Sequence, residues 1–311
     1  MSKKRKKIIS IWILIICLIL LIYFIKDNYT IFYKLKELSL VEIFSLCGLF
    51  IIFLWINWIF FDTLSRSFNI KVKENFLLSV VTSFINLFTP FVGGMWFRAW
   101  YTKKKYNLNY AHFTSCLFGN YIIVFLTSTF FGLLIFAYIY RQFKTYNIIF
   151  ILLFLGIFLW SLFFVIFKKF RIKKKSRLYD TINKVAEWWQ LISQNKKIIR
   201  KLTFLQIINL LIWVVQLYVI FYYIGYNISF LEAFYISIIG ILAVFLKITP
   251  WNLWVTELLY IGSAGVIGIP AEIMLLVSLI KRAIEIIVLA ILWPISNYIL
   301  IQKIRNIHKS Q

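Results

Sequence analysis

Six charged side chains fall within or beside stretches apolar enough for a lipid bilayer: Arg98, Lys247, Glu257, Lys281, Arg282 and Glu285. A charge in hydrocarbon is costly, so such residues are usually paired or functional. The planar fork of Arg98 matches a phosphate. At the inner membrane edge the same side chain can instead snorkel to the interface, since Lys103, Lys104 and Lys105 follow closely. Glu257 reads as a partner for Arg98 or Arg282, or as a proton carrier. Arg282 and Glu285 stand three residues apart on a helix, in reach of a local pair. The alternative for the whole set is a static ion-pair network that holds helices together.

Two of these charges follow similar stretches. Ile85-Asn86-Leu87-Phe88-Thr89-Pro90 leads to Gly93, Gly94 and Arg98, and Phe245-Leu246-Lys247-Ile248-Thr249-Pro250 leads to Glu257. The chain has only 4 prolines, and two occupy these matching places, which suggests a diverged internal repeat. Proline removes a backbone donor and clashes with the preceding turn. Within a membrane such a break survives only where protein or a water-filled cavity satisfies the freed groups. The candidate substrate-binding residues are therefore Pro90, Gly94, Arg98, Thr249, Pro250, Glu257 and Arg282.

The elements that must position them are membrane helices. The 311 residues are 62% hydrophobic and 15% charged, against roughly 45–50% and about 25% in soluble domains. Such a chain fits a protein whose outer surface faces lipid. A spanning helix needs roughly 20 apolar residues. Runs of that kind occupy 8–25, 43–61, 113–140, 148–167, 202–224 and 273–301, and the broken stretches are 76–96 and 230–268. The expected fold is all-α: one integral membrane domain over 1–311, a transmembrane helix bundle of about seven or eight spans. The two Pro-broken stretches form its re-entrant, inverted repeat.

Net charge is +24, from 35 Lys and Arg against 11 Asp and Glu. The basic residues lie between the apolar runs, so membrane topology accounts for them and no nucleic-acid-binding face is expected. The cluster from Lys3 to Lys7 and the loop over 168–201 belong on the cytosolic side. Run 8–25 then reads as a retained first helix with a cytosolic N-terminus, and the tail with Lys303 and Arg305 is cytosolic too. Basic residues flank 76–96 on both sides, which favours re-entry from the cytosol over a full crossing with a basic outer loop. By the same topology 230–268 opens from outside. Opposed broken segments that meet near mid-membrane are the pattern of transporters built from inverted repeats.

Within the basic loop, Leu178, Ile182, Val185, Trp189 and Ile192 repeat at helical spacing. They mark an amphipathic helix that lies on the cytosolic leaflet beside anionic headgroups, or one that packs on other cytosolic loops. The three cysteines and two histidines lack metal-ligand spacing, so no metal or cofactor is expected. No phosphate-binding loop for a nucleotide occurs either.

At the broken stretches the chain resembles the lysylphosphatidylglycerol synthetase transmembrane-region family, the flippase-like membrane half of the multiple-peptide-resistance proteins and their stand-alone relatives. Pro90, Gly94 and Arg98 match one motif, with Met95 where an acid is expected. Thr249, Pro250 and Glu257 match another, with Asn252 and Trp254 in place of glycines. Gly268-Ile269-Pro270 and Arg282 continue the likeness. The resemblance implies binding or translocation of a phospholipid or lipid-linked substrate. The family's soluble synthase domain has no room here, so the chain is expected not to be an enzyme that makes lysyl-lipid. The main alternative is a non-catalytic scaffold for a membrane-associated synthase or glycosyltransferase. A membrane transferase is the second alternative, and it lacks a paired acidic motif.

Overall fold

A computed structural model describes residues 38–65, 72–89, 93–144, 147–166, 193–243 and 255–309, with positions 183, 187, 189 and 190. The expected helix at 8–25 lies outside the described residues, as do Pro90, Lys247, Thr249 and Pro250.

The described chain is all-helical. In order, the helices are α1 (Leu40–Ser65), α2 (Val72–Phe88), α3 (Gly93–Tyr106), α4 (Tyr110–Phe143) and α5 (Ile148–Ile166). They continue as α6 (Lys196–Tyr223), α7 (Phe230–Leu242), α8 (Val255–Ala264) and α9 (Ala271–Lys309), with a 3-10 turn at Gly265–Ile267 before α9. Their starts are written locally. Ser39 and Glu42 form a reciprocal capping box before α1, and Ser229 and Glu232 form another at α7. Asn109 and Asn195 cap α4 and α6 through their side-chain oxygens.

Among the described residues four helices, α1, α4, α5 and α6, are long and apolar enough to cross a bilayer. Only 11% of the most apolar window of α5 is buried, so its surface meets lipid. It docks along α4, where Phe154 packs against Phe136 and fills the space above Gly132, and Phe118 meets Trp160 and Phe164.

The two broken stretches fold as helix pairs. The 17 residues of α2 and 14 of α3 reach roughly 26 and 21 Å, short of a core of about 30 Å. The pair doubles back on itself. Glu74 at the start of α2 accepts from Lys105 Nζ at 2.6 Å and Tyr106 OH at 2.6 Å, both at the end of α3. The stretch therefore enters and leaves on one side, as expected for re-entry, and a full crossing is set aside. Tyr101 OH at 3.2 Å and Lys303 Nζ at 2.9 Å complete the ring of donors on Glu74 and tie α9 to the hairpin base.

Gly94 holds the hairpin closed at its other end. Its N–H donates to Asn86 Oδ1 at 2.8 Å, and a Cβ there would run into the carbonyl oxygen of Thr82. In the second pair, α7 packs against α8, where Tyr260 lies over Gly240. Every residue of α7 from Ala233 to Leu242 is buried. This short helix thus lies in the largest core, packed against α4, α6 and α8.

Trp189, part of the stripe in the basic loop, turns toward protein. Its indole donates to Phe164 O at 3.1 Å and its ring covers Gly119. It is buried with Phe60, Leu64, Ile122 and Leu202, so this position docks on the bundle and not on a leaflet. The remaining stripe residues lie outside the described set.

Gly94→Ala should lower stability by about 1–3 kcal/mol, because a backbone oxygen cannot yield to the new methyl. Gly156→Ala on α5, with nothing within 4 Å, should be neutral or stabilising by up to about 1 kcal/mol. Thermal unfolding in detergent checks both, and equal midpoints for the two variants would rule out the tight hairpin.

Candidate functional site

The site grows from one face of α9. Ser278, Lys281, Arg282 and Glu285 are spaced by three and four residues, which stacks them along a single stripe. Lys281 and Arg282 diverge by the angle between successive helical residues, and each finds a different partner. Arg282 Nε donates to Glu257 Oε1 of α8 at 2.6 Å, and Ser278 Oγ donates to the same oxygen at 2.9 Å. Lys281 Nζ lies 3.5 Å from Glu285 and 4.2 Å above the Trp213 ring of α6. The expected local pair of Arg282 with Glu285 is thus corrected: Glu257 holds Arg282, and Glu285 faces Lys281.

Both Glu257 and Arg282 are buried. In such a place the two side chains satisfy each other through a short hydrogen bond. The pair also fixes the position of α8, a helix of only 10 residues.

Beside this pair lies a cavity of about 340 Å³. Lys281, Arg282 and Glu285 line it from α9, and Thr256 and Tyr260 line it from α8. Asn57 of α1, Asn120 of α4, and Gln206 and Asn209 of α6 add amides, and Met95 of α3 closes one wall. Asn57 and Asn209 exchange hydrogen bonds of 3.3 and 3.2 Å, which locks α1 against α6 at that depth. The cavity thus sits among α1, α4, α6, α7, α8 and α9, with Met95 of α3 at its edge, and holds both charge signs together with neutral amides. Such a lining suits a ligand with a polar, ionised head.

Arg98 stands apart from it. Its guanidinium lies 3.4 Å from the centre of the Phe61 ring and donates to Asn75 Oδ1 at 3.3 Å and Ser79 Oγ at 3.4 Å. Asn75 in turn donates to Asp62 Oδ1 at 3.0 Å. At 3% exposure Arg98 is no snorkelling residue, and it fastens α3 to α1 and α2. Arg98, a candidate substrate-binding residue, is thus placed away from the cavity: of the described candidates, Arg282 lines the cavity, Glu257 braces Arg282, Gly94 closes the first hairpin, and Arg98 is buried elsewhere.

Several residues were missed in the sequence. Asn57, Asn120, Gln206 and Asn209 are polar residues within apolar runs, and that cost was the available signal. Glu74 stood at the edge of a basic stretch and carried no comparable mark.

Helices with lipid-facing flanks around an ion-paired polar cavity define an integral membrane protein that can receive a polar group between its helices. The chain belongs to the family described as lysylphosphatidylglycerol synthase TM region, whose model matches residues 8–292. No curated protein matches the chain.

Replacing either Glu257 or Arg282 by alanine should cost about 3–5 kcal/mol, because the partner is left charged and dry. The double variant Glu257→Leu/Arg282→Met should cost less than the sum of the singles, as coupled sites do. A thermal-denaturation mutant cycle measures this, and additive costs would show that the two side chains act independently.

Proposed function

We propose that the protein moves a phospholipid or lipid-linked substrate across the cell membrane, as a flippase-like transporter with both termini in the cytosol. The observation that supports this most is the cavity of about 340 Å³ within the helix bundle, lined by Lys281, Arg282, Glu285 and four amides. A lipid headgroup needs a polar route past the hydrocarbon while its acyl chains stay in lipid. Such a lining offers those donors and acceptors between the helices. A scaffold that only anchors a partner synthase requires no such space.

The reading is non-enzymatic. Glu257 is engaged by Arg282 and Ser278, and Glu285 faces Lys281, so neither carboxylate stands ready as a general base. The side chains instead recognise and release. Membership of the family supports a role in lipid metabolism or transport, and the basic loop at 168–201 supports cytosolic placement and contact with anionic headgroups or a partner enzyme.

The test is a lipid-movement assay in proteoliposomes with headgroup-labelled anionic, aminoacylated and polyprenyl-phosphate lipids. Wild type should move at least one of them. Arg282→Gln, where it keeps its fold, should slow that movement by about tenfold or more, the loss of one charge-assisted contact. No movement of any lipid by folded wild type would sink the transporter reading.

A further inference from the structure

The walls of the cavity differ in character. On the α9 side its charged groups are paired, Lys281 with Glu285 at 3.5 Å and Arg282 with Glu257 at 2.6 Å. The wall built by α4 and α6 is neutral. Asn120 and Val124 stand four apart on α4, and Gln206, Asn209 and Trp213 stand three and four apart on α6, so each helix turns one stripe to the cavity. Asn209 is committed, since it and Asn57 exchange hydrogen bonds. Asn120 and Gln206 are not: among the described residues neither side chain has a hydrogen-bond partner. Gln206 is 6% exposed, and both polar atoms of its amide share in that exposure. A buried amide that protein leaves unmet is costly, so one that lines a cavity is spare binding capacity.

The chemistry of an amide says what would meet it. Each presents a donor and an acceptor side by side. An ionised phosphate offers acceptors only and an ammonium donors only, so either would leave half of both amides unmet. A hydroxyl donates and accepts, and so answers both halves. Two free amides on helices that pack together call for more than one hydroxyl on the same ligand. The volume of about 340 Å³ lies at the small end for a ligand site and takes a glycerol or a single sugar ring. The charged side of the cavity remains for whatever ionised group the same molecule carries.

We propose that Asn120 and Gln206 form a hydroxyl-binding subsite that seats the polyol part of a lipid head, either the glycerol of a phospholipid or the sugar of a glycolipid. Binding there stands on the lining of the cavity alone. That the bound lipid is on its way across the membrane rests on the transporter reading.

The test uses the full chain in micelles of lauryldimethylamine oxide, a detergent without hydroxyl groups, and calorimetric titration. The probes are dihexanoyl phosphatidylglycerol and dihexanoyl glucosylglycerol, with dihexanoyl phosphatidylethanol as the hydroxyl-free control. At least one hydroxylated lipid should bind wild type about tenfold or more tightly than the control. Gln206→Leu and Asn120→Leu should each reduce that preference about fivefold or more, and leave binding of the control unchanged. A purely structural role would weaken all three lipids alike. Should Gln206→Leu lose its fold, Gln206→Met takes its place. Preference for phosphatidylglycerol marks a glycerol head, preference for the glucosyl lipid marks a sugar head, and either supports the subsite. It is overturned if neither hydroxylated lipid outbinds the control, or if folded variants keep the preference of wild type. Proteoliposomes separate the two proposals. A preference that the variants reduce, with no lipid moved by wild type, keeps the subsite and removes the transporter. Movement of hydroxylated lipids that both variants leave unchanged removes the subsite and keeps the transporter.

Discussion

The contact between Arg282 and Glu257 is the one on which the arrangement of this bundle depends. Hydrocarbon offers no water to an ion, so a charge at that depth must find its opposite within the protein. At 2.6 Å the two side chains answer each other, and Ser278 satisfies the same carboxylate oxygen. Because Glu257 rides on a helix of 10 residues, too short to be anchored by length, the ion pair sets where α8 stands. The cavity follows, since its walls are the faces that α8 and α9 turn toward α1, α4 and α6.

Two other polar clusters act in the same way elsewhere in the bundle. Glu74 gathers donors from α3 and α9, so the first hairpin and the last helix share one anchor. Arg98 lies sandwiched against Phe61 and is held by Asn75 and Ser79, which seals the hairpin to α1. Each cluster joins helices that are far apart in the chain. Between them the packing is aromatic and aliphatic, and glycine leaves room for a backbone carbonyl at Gly94 and for the Tyr260 ring at Gly240.

The large cavity adjoins the Arg282–Glu257 pair, and that placement bears on function. A rigid anchor at its wall allows a polar chamber to exist without collapse.

Much of the architecture was legible in the residues alone. Length and continuity of apolar runs determine that α1, α4, α5 and α6 can cross a membrane, because hydrocarbon thickness leaves no shorter solution for a helix. Proline and glycine at 89–94, with basic residues on both sides, mark a helix pair that turns back. The family likeness was legible too, through Pro90, Gly94, Arg98, Thr249, Pro250, Glu257 and Arg282. What only the tertiary structure decided is which charge meets which. Glu257 had two arginines to choose from, and Arg282 had two glutamates. Spacing along one helix favoured Arg282 with Glu285, yet α8 brought a carboxylate closer, and the longer-range pair won. Arg98 shares a motif with the site and is nonetheless buried away from it. A linear chain specifies which residues cannot face lipid, but partners in a bundle are chosen by how helices pack, and that is a property of all of them at once.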